Sequence, residues 1–242
     1  MREPVNRSGG IVVDGWWRRL GIRLCLPRCL ACGETAPPGA DLCRACSDAL
    51  PWNDAACARC ALPLSAPAPA CGACLQAASP LDAAHAAFRY AAPLDRLLPR
   101  FKFHKDLAAG RLLAEAMARR FAALEPPEVL LPIPLHLERL RRRGYDQALE
   151  LARPLARALR LPLRTDLLRR QRPTQAQSEL DAAQRRRNLR RAFAVHDGRP
   201  LPSHVVLVDD VMTTGATLHA AARALRRAGV ARVEAWVCAR VP

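Results

Sequence analysis

Val205-Val206-Leu207-Val208-Asp209-Asp210-Val211-Met212-Thr213-Thr214-Gly215-Ala216-Thr217-Leu218 is the stretch on which the reading of this chain turns. Four consecutive branched apolar residues suit a buried strand. They deliver two carboxylates to its carboxyl end, the edge at which α/β sheets bind ligands. A small, hydroxyl-rich turn then opens a helix, whose N-terminal amides and Thr hydroxyls form a cradle for a phosphate. Two adjacent acids would repel a phosphate that touched them. One step away they can accept hydrogen bonds from sugar hydroxyls or hold a hydrated divalent cation. A phosphate beside a ribose diol describes a ribose 5-phosphate site.

Outward from this stretch, strand and helix patterns alternate. Apolar spacing predicts a helix over 107–124, stopped by Pro126-Pro127, and a short buried strand at 129–134. Further helices are expected over 145–159, with Pro154 a kink or break, over 180–192 and over 216–227. The last is ended by Gly229, and a final strand covers 233–239. This order predicts an α/β fold: a mostly parallel sheet flanked by helices.

Residues 25–76 differ. They hold nine of the ten cysteines with almost no helical periodicity. Cys29-x-x-Cys32 and Cys43-x-x-Cys46 are ten residues apart, and Cys57-x-x-Cys60 and Cys71-x-x-Cys74 repeat that spacing. Each set of four thiolates suits one tetrahedral zinc with no open position, hence two structural ions, with Gly33 and Gly72 in tight knuckles. Disulfides and an iron–sulfur cluster are the alternatives. Sequential pairing of the Cys pairs is favoured over a cross-brace. So small a module, poor in large apolar side chains, could not fold on burial alone. Cys25 and Cys238 fall outside the pattern, Cys238 as inert core. Trp16, Trp17, Leu20 and Leu24 could form one face of a short helix ahead of the module.

The formal charge is +16, with only two lysines, Lys102 and Lys105. Between Arg139 and Arg191 sixteen arginines face five acids, which points to a polyanionic partner. The arginines singled out are Arg141, Arg142, Arg143, Arg185, Arg186, Arg187, Arg190 and Arg191. Aromatics near this block are few, chiefly Tyr145 and Phe193, which favours backbone-phosphate contacts over base stacking. No segment reads as a membrane span or a signal peptide, so a reducing, cytoplasmic setting is expected. The six histidines lack zinc-like spacing, and no residue is assigned as catalytic.

The 205–218 stretch resembles the 5-phosphoribosyl-1-pyrophosphate (PRPP) motif of type I phosphoribosyltransferases. By that resemblance Asp209 and Asp210 hold the ribose hydroxyls, directly or with Mg²⁺. Thr213, Thr214, Gly215, Ala216 and Thr217 hold the 5-phosphate, and Pro132, Ile133, Pro134, Leu135 and His136 form the pyrophosphate loop. Purine-salvage members carry an acid where this chain has Thr213, which argues against hypoxanthine or guanine as substrate. Leu98-Pro99-Arg100-Phe101-Lys102-Phe103-His104, Arg141-Arg142-Arg143-Gly144-Tyr145-Asp146-Gln147-Ala148, then Thr174, Gln177 and Leu180, the 185–193 stretch and the Cys pairs together resemble the ComF/GntX family. Asp146 stands where Asn is usual. The resemblance implies a double zinc ribbon at 25–78 and a phosphoribosyltransferase-like domain at 81–242, after an N-terminal segment 1–24. It further implies a role in natural competence, with PRPP, single-stranded DNA and other competence proteins as expected partners. An active phosphoribosyltransferase of unknown acceptor and a PRPP-sensing regulator are the alternatives.

Overall fold

The computed structural model describes residues 27–171, 192–196, 198 and 200–242. Outside these lie Trp16, Trp17, Leu20, Leu24, Cys25, Thr174, Gln177 and Leu180, and so do Arg185, Arg186, Arg187, Arg190 and Arg191. The chain divides into two compact units, Met1–Asp48 and Ala49–Pro242. The second Cys tetrad therefore belongs to the same unit as the sheet.

In the smaller unit, Arg28 and Thr35 bridge antiparallel around the first knuckle, and a single helical turn, α1 (Arg44–Asp48), follows Cys43. Gly33 closes that knuckle at φ +80°, a conformation that suits glycine.

The larger unit begins with the second knuckle and another single turn, α2 (Gly72–Gln76). Gly72 occupies this turn without a left-handed φ. Ala61 instead takes the place that Gly33 has in the first knuckle, buried at φ +54°. Then come β1 (Ala83–Arg89), α3 (Leu94–Phe103), α4 (Leu107–Phe121), β2 (Val129–Pro132), α5 (Leu137–Arg143), α6 (Gln147–Leu159), β3 (Leu168–Arg170), β4 (Phe193–Val195), β5 (His204–Met212), α7 (Ala216–Ala228) and β6 (Arg232–Arg240). Of the helix expected over 180–192, Ala192 alone is described; it is buried and non-helical, leading into β4.

Four strands form an all-parallel sheet in the order β1-β6-β5-β2, and β3 and β4 form a separate antiparallel pair. The central strands are apolar throughout, as burial on two faces demands: Val205, Val206, Leu207 and Val208 have no exposed surface. One core gathers Leu131, Ile133, Leu207, Val237 and the inner face of α7, including Ala221 and Leu225. Elsewhere Trp236 lies against Phe121, their ring centroids 5.0 Å apart.

Helix α6 does not end at Pro154. Its buried face, Ala148, Leu151, Ala152, Leu155 and Ala156, spans the proline on both sides. An interior proline costs about 3 kcal/mol; fully burying even two leucines offsets that at about 1.5–3 kcal/mol each. Gly110 lets α3 and α4 approach closely, since a Cβ there would lie 2.4 Å from the ring of Phe101.

Candidate functional site

Strand β5 is longer than its four apolar residues and carries Asp209 and Asp210 near its carboxyl end. Pro132 of β2 pairs with Val208, and the Ile133 amide donates to the Val208 carbonyl at 2.9 Å. The 132–136 loop thus leaves the sheet directly beside Asp209. From β5 the chain returns through α7 to β6 on one side. From β2 it returns through α6 to the other, where the Leu130 amide donates to Pro162 at 2.8 Å and the Arg164 amide to Leu130 at 3.0 Å. The outgoing connections diverge, which opens a crevice between β5 and β2 at the edge where α/β proteins bind ligands.

Each wall of this crevice is locally held. Gly215 caps the start of α7 at φ +73°, where a Cβ would meet Met212 Cε at 2.5 Å and His219 Nε2 at 3.3 Å. Thr213 and Thr214 are exposed, and among the described residues the amides of Thr213, Thr214 and Gly215 donate to no protein acceptor. Unpaired amides at a helix start are what an anion needs. On the other wall Asp146 caps α6 by accepting from the Leu149 amide at 3.2 Å and holds the loop through the Leu135 amide at 3.0 Å. The two bonds go to different carboxylate oxygens, Oδ1 for Leu149 and Oδ2 for Leu135; the single oxygen of an Asn could keep only one of them, so Asp at this position ties the loop and the helix start together. His136 caps α5, its Nδ1 accepting from the Glu138 amide at 3.3 Å.

The two acids differ in setting. Asp210 is buried, and its Oδ2 lies 2.7 Å from Lys102 Nζ. Burial pushes the Asp209 carboxyl up to about 8, and the neighbouring Asp210 charge pushes the same way, against the Asp210 amide and Lys102. In the ligand-free protein these influences favour the protonated form of Asp209. Arg170 of β3 also serves this site electrostatically. Burial and Arg139 lower its proton affinity while Asp209 and Asp146 raise it, and its guanidinium stacks on Phe193 at 5.4 Å.

The arginines of α5 divide. Arg141 and Arg142 are exposed in its last turn, before Gly144 at φ +83°, where cations also favour the helix dipole. Arg143 is engaged: it donates to Gln147 Oε1 at 2.8 Å and lies 5.4 Å over the ring of Phe103. Phe103 is 63% exposed, so the aromatic beside this block is one the sequence did not single out. Gln147 also donates to the Lys102 carbonyl at 3.4 Å, which joins the end of α3 to this patch. Phe193 is buried and unavailable for stacking.

The Cys pairs form tetrads of consecutive pairs: Cys29, Cys32, Cys43 and Cys46, then Cys57, Cys60, Cys71 and Cys74, with the sulfurs of each within 4.8 Å of one another. Cys32 to Cys43 and Cys60 to Cys71 are both 3.7 Å, close to the edge of about 3.8 Å of a tetrahedron with Zn–S near 2.3 Å. The Cys71 amide donates to Cys57 Sγ at 3.1 Å. Burial opposes ionising Cys57, but amides of Cys60, Cys71 and Arg59 outweigh it and hold the thiol at about 7. All eight donors are sulfur, so the tetrads fit closed, structural zinc.

A parallel sheet with a phosphate-type loop after its third sheet strand, joined to two cysteine tetrads, defines a zinc-ribbon phosphoribosyltransferase-fold protein. The phosphoribosyl transferase domain family matches residues 145–242, and the double zinc ribbon domain family matches residues 23–75. Competence protein F of Haemophilus influenzae is 38% identical over 70% of this chain and 78% of its own length. The DNA utilization protein YhgH of Salmonella typhimurium is 37% identical over 74% of this chain and 81% of its own. A solved glutamine PRPP amidotransferase from B. subtilis aligns at 21% identity over 54% of this chain and 26% of its own, with a TM-score of 0.38. The chain belongs to the ComF/GntX family. No helix among the described residues is long and apolar enough to cross a membrane.

Proposed function

We propose that this chain is a competence-related protein that binds PRPP with Mg²⁺ in the crevice between β5 and β2 and engages single-stranded DNA beside it. One observation carries the PRPP reading: Asp209 and Asp210 stand between a turn of unpaired amides and the 132–136 loop. The amides and hydroxyls of 213–217 would take the 5-phosphate, the acids the ribose hydroxyls or the hydrated cation, and residues 132–136 the pyrophosphate. Mg²⁺ would screen the pyrophosphate charge. Lys102 would leave Asp210 for the ligand's phosphates as the acids engage the sugar. Arg170 adds positive charge on the same side.

The DNA reading draws on the relatives' names and on the patch of Arg141, Arg142, Arg143 and exposed Phe103, which offers forked phosphate contacts and a stacking ring. Arg185, Arg186, Arg187, Arg190 and Arg191 would extend that track. We assign residues 25–78 to the double zinc ribbon and 81–242 to the phosphoribosyltransferase-like domain. The cytoplasm suits eight zinc-binding thiols.

Titration calorimetry with PRPP and Mg²⁺ tests the site. The Asp209→Ala, Asp210→Ala double variant is expected to stay folded and lose binding. Wild-type affinity in that variant would refute the assignment. A product screen with candidate bases then separates an enzyme from a PRPP sensor.

A further inference from the structure

We infer that Arg240 couples the second zinc site to the phosphate loop, so that PRPP affinity depends on zinc at Cys57, Cys60, Cys71 and Cys74. Arg240 acts as a positioning residue. The inference rests on the reading of 213–217 as the phosphate cradle.

Arg240 ends β6 and is 9% exposed. Its Nε donates to the carbonyl of Cys60 at 3.0 Å, and its Nη1 donates to the carbonyl of Met212 at 3.3 Å and to that of Val241. Met212 also accepts from the Val241 amide at 3.0 Å, and it immediately precedes Thr213. One guanidinium thus holds the residue from which the cradle springs and the backbone of a zinc ligand. Guanidinium suits this use because its donors sit in a rigid planar fork.

The zinc end of the tie is conformationally specific. The carbonyl of Cys60 is followed by Ala61, buried at φ +54°, whose amide donates to Cys57 at 2.8 Å. A non-glycine residue in the left-handed region persists only where its surroundings fix it. Here the Cys57 amide donates to Leu62 at 2.9 Å and Asn53 Nδ2 donates to the Ala61 carbonyl at 3.0 Å, and zinc held by the sulfurs of Cys57 and Cys60 would anchor the residues just before Ala61 as well. Loss of zinc would remove the anchor at Cys57 and Cys60, leave the strained turn to its hydrogen bonds alone, and let the Cys60 carbonyl shift away from Arg240. The far end of the tie reaches the cradle just as directly. Met212 Cε packs where a Cβ of Gly215 would stand, so movement of Met212 displaces the left-handed residue that starts α7. His219 lies under the same turn. Burial lowers its proton affinity, with the charges of Arg223 and Arg240 acting in the same sense.

Coupling is reciprocal: if zinc strengthens PRPP binding, PRPP must strengthen zinc binding by the same factor. The test uses the full-length, zinc-loaded protein and a chromogenic chelator, with PRPP and Mg²⁺ present or absent. A Cys32→Ser variant assigns the first tetrad's release phase. PRPP is expected to slow release from the second tetrad, and only from it, by roughly five- to 150-fold, the span usual for coupled sites. Arg240→Ala should abolish that protection while still binding PRPP measurably, and Arg240→Lys should restore part of it. A merely structural role would instead speed release from the second tetrad and leave the protection by PRPP in place. Equal release with and without bound PRPP, or protection that survives in Arg240→Ala, would overturn the coupling. If calorimetry shows no PRPP binding to the wild type, the site reading fails. Hydrogen exchange across 211–217 then decides the coupling by itself. Stripping zinc should accelerate exchange there in the wild type and add nothing in Arg240→Ala; unchanged wild-type exchange would overturn the proposal.

Discussion

Gly215→Ala probes the phosphate loop at its most constrained atom. Gly215 sits at φ +73°, where an L-residue costs about 1–2 kcal/mol. The new methyl would also stand 2.5 Å from Met212 Cε, and Met212 is only 2% exposed. Overpacking of this kind costs about 1–3 kcal/mol. A total of about 3 kcal/mol corresponds to a fall of about 6–12 °C in the melting temperature of a unit this size. The chain can relieve both penalties by turning the 213–216 backbone outward, which disperses the amides. Hydrogen bonds to charged groups contribute about 1.5–3 kcal/mol each, so losing two weakens PRPP at least about a hundredfold. Gly229→Ala is the control. It has a left-handed φ of +106° at the other end of the same helix and nothing within 4 Å of the added Cβ. It should lose stability with PRPP affinity unchanged. Calorimetry and thermal melting of both variants decide the matter. Wild-type affinity in Gly215→Ala, or an equal loss in both variants, would refute the reasoning.

Binding of PRPP with Mg²⁺ at pH 7 should release a proton, because the free protein favours the protonated form of Asp209 and a cation or sugar hydroxyl favours its charged form. Calorimetry in buffers of different ionisation heat should show that release fading above about pH 9. The same shift makes the ligand-free fold lose stability as pH rises from the ordinary carboxylate range, near 4, through about 8; the raised folded value sets this sign, and melting curves across that window check it. Metal analysis of purified protein should give two zinc ions per chain, and Cys74→Ser should lower the count to one while leaving the first tetrad loaded. Phe103→Ala should weaken single-stranded DNA by about 1–3 kcal/mol with a constant salt slope. Arg141→Ala with Arg142→Ala should flatten that slope, by about 0.7 for each phosphate no longer neutralised.

What the sequence made legible was local. The strand, acid pair, turn and helix of 205–218 are contiguous, and so is each Cys-x-x-Cys hook, so their chemistry could be read without a fold. What stayed hidden depends on chain segments meeting from afar. Lys102 reaches Asp210 because α3 ends above β5, and Phe103 meets Arg143 through Gln147. Neither neighbour is written in spacing. Arg240 and Cys60 are 180 residues apart, and at the end of an apolar strand Arg240 reads as an ordinary terminal charge. Pro154 does not break α6 because propensity speaks for one residue while the buried face of the helix speaks for five. The left-handed residue of the second ribbon stayed hidden because it is Ala61, the counterpart of Gly33, and alanine gives no such signal.

Both margins of the four-stranded sheet are occupied by backbone outside its named strands. Along β1, Asn53 donates to Ala87 at 3.0 Å, Arg89 donates to Pro51 at 2.8 Å, and Trp52 bridges Phe88. Along β2, residues 162–164 fill the other margin. A sheet closed in this way offers no row of idle amides for a stranger's strand to zip onto. Expression fragments cut just before the sheet, as a conventional boundary near residue 80 would suggest, strip the cover from β1. Such fragments should clump or pair edge to edge, and fragments that keep residue 49 onward should stay dispersed.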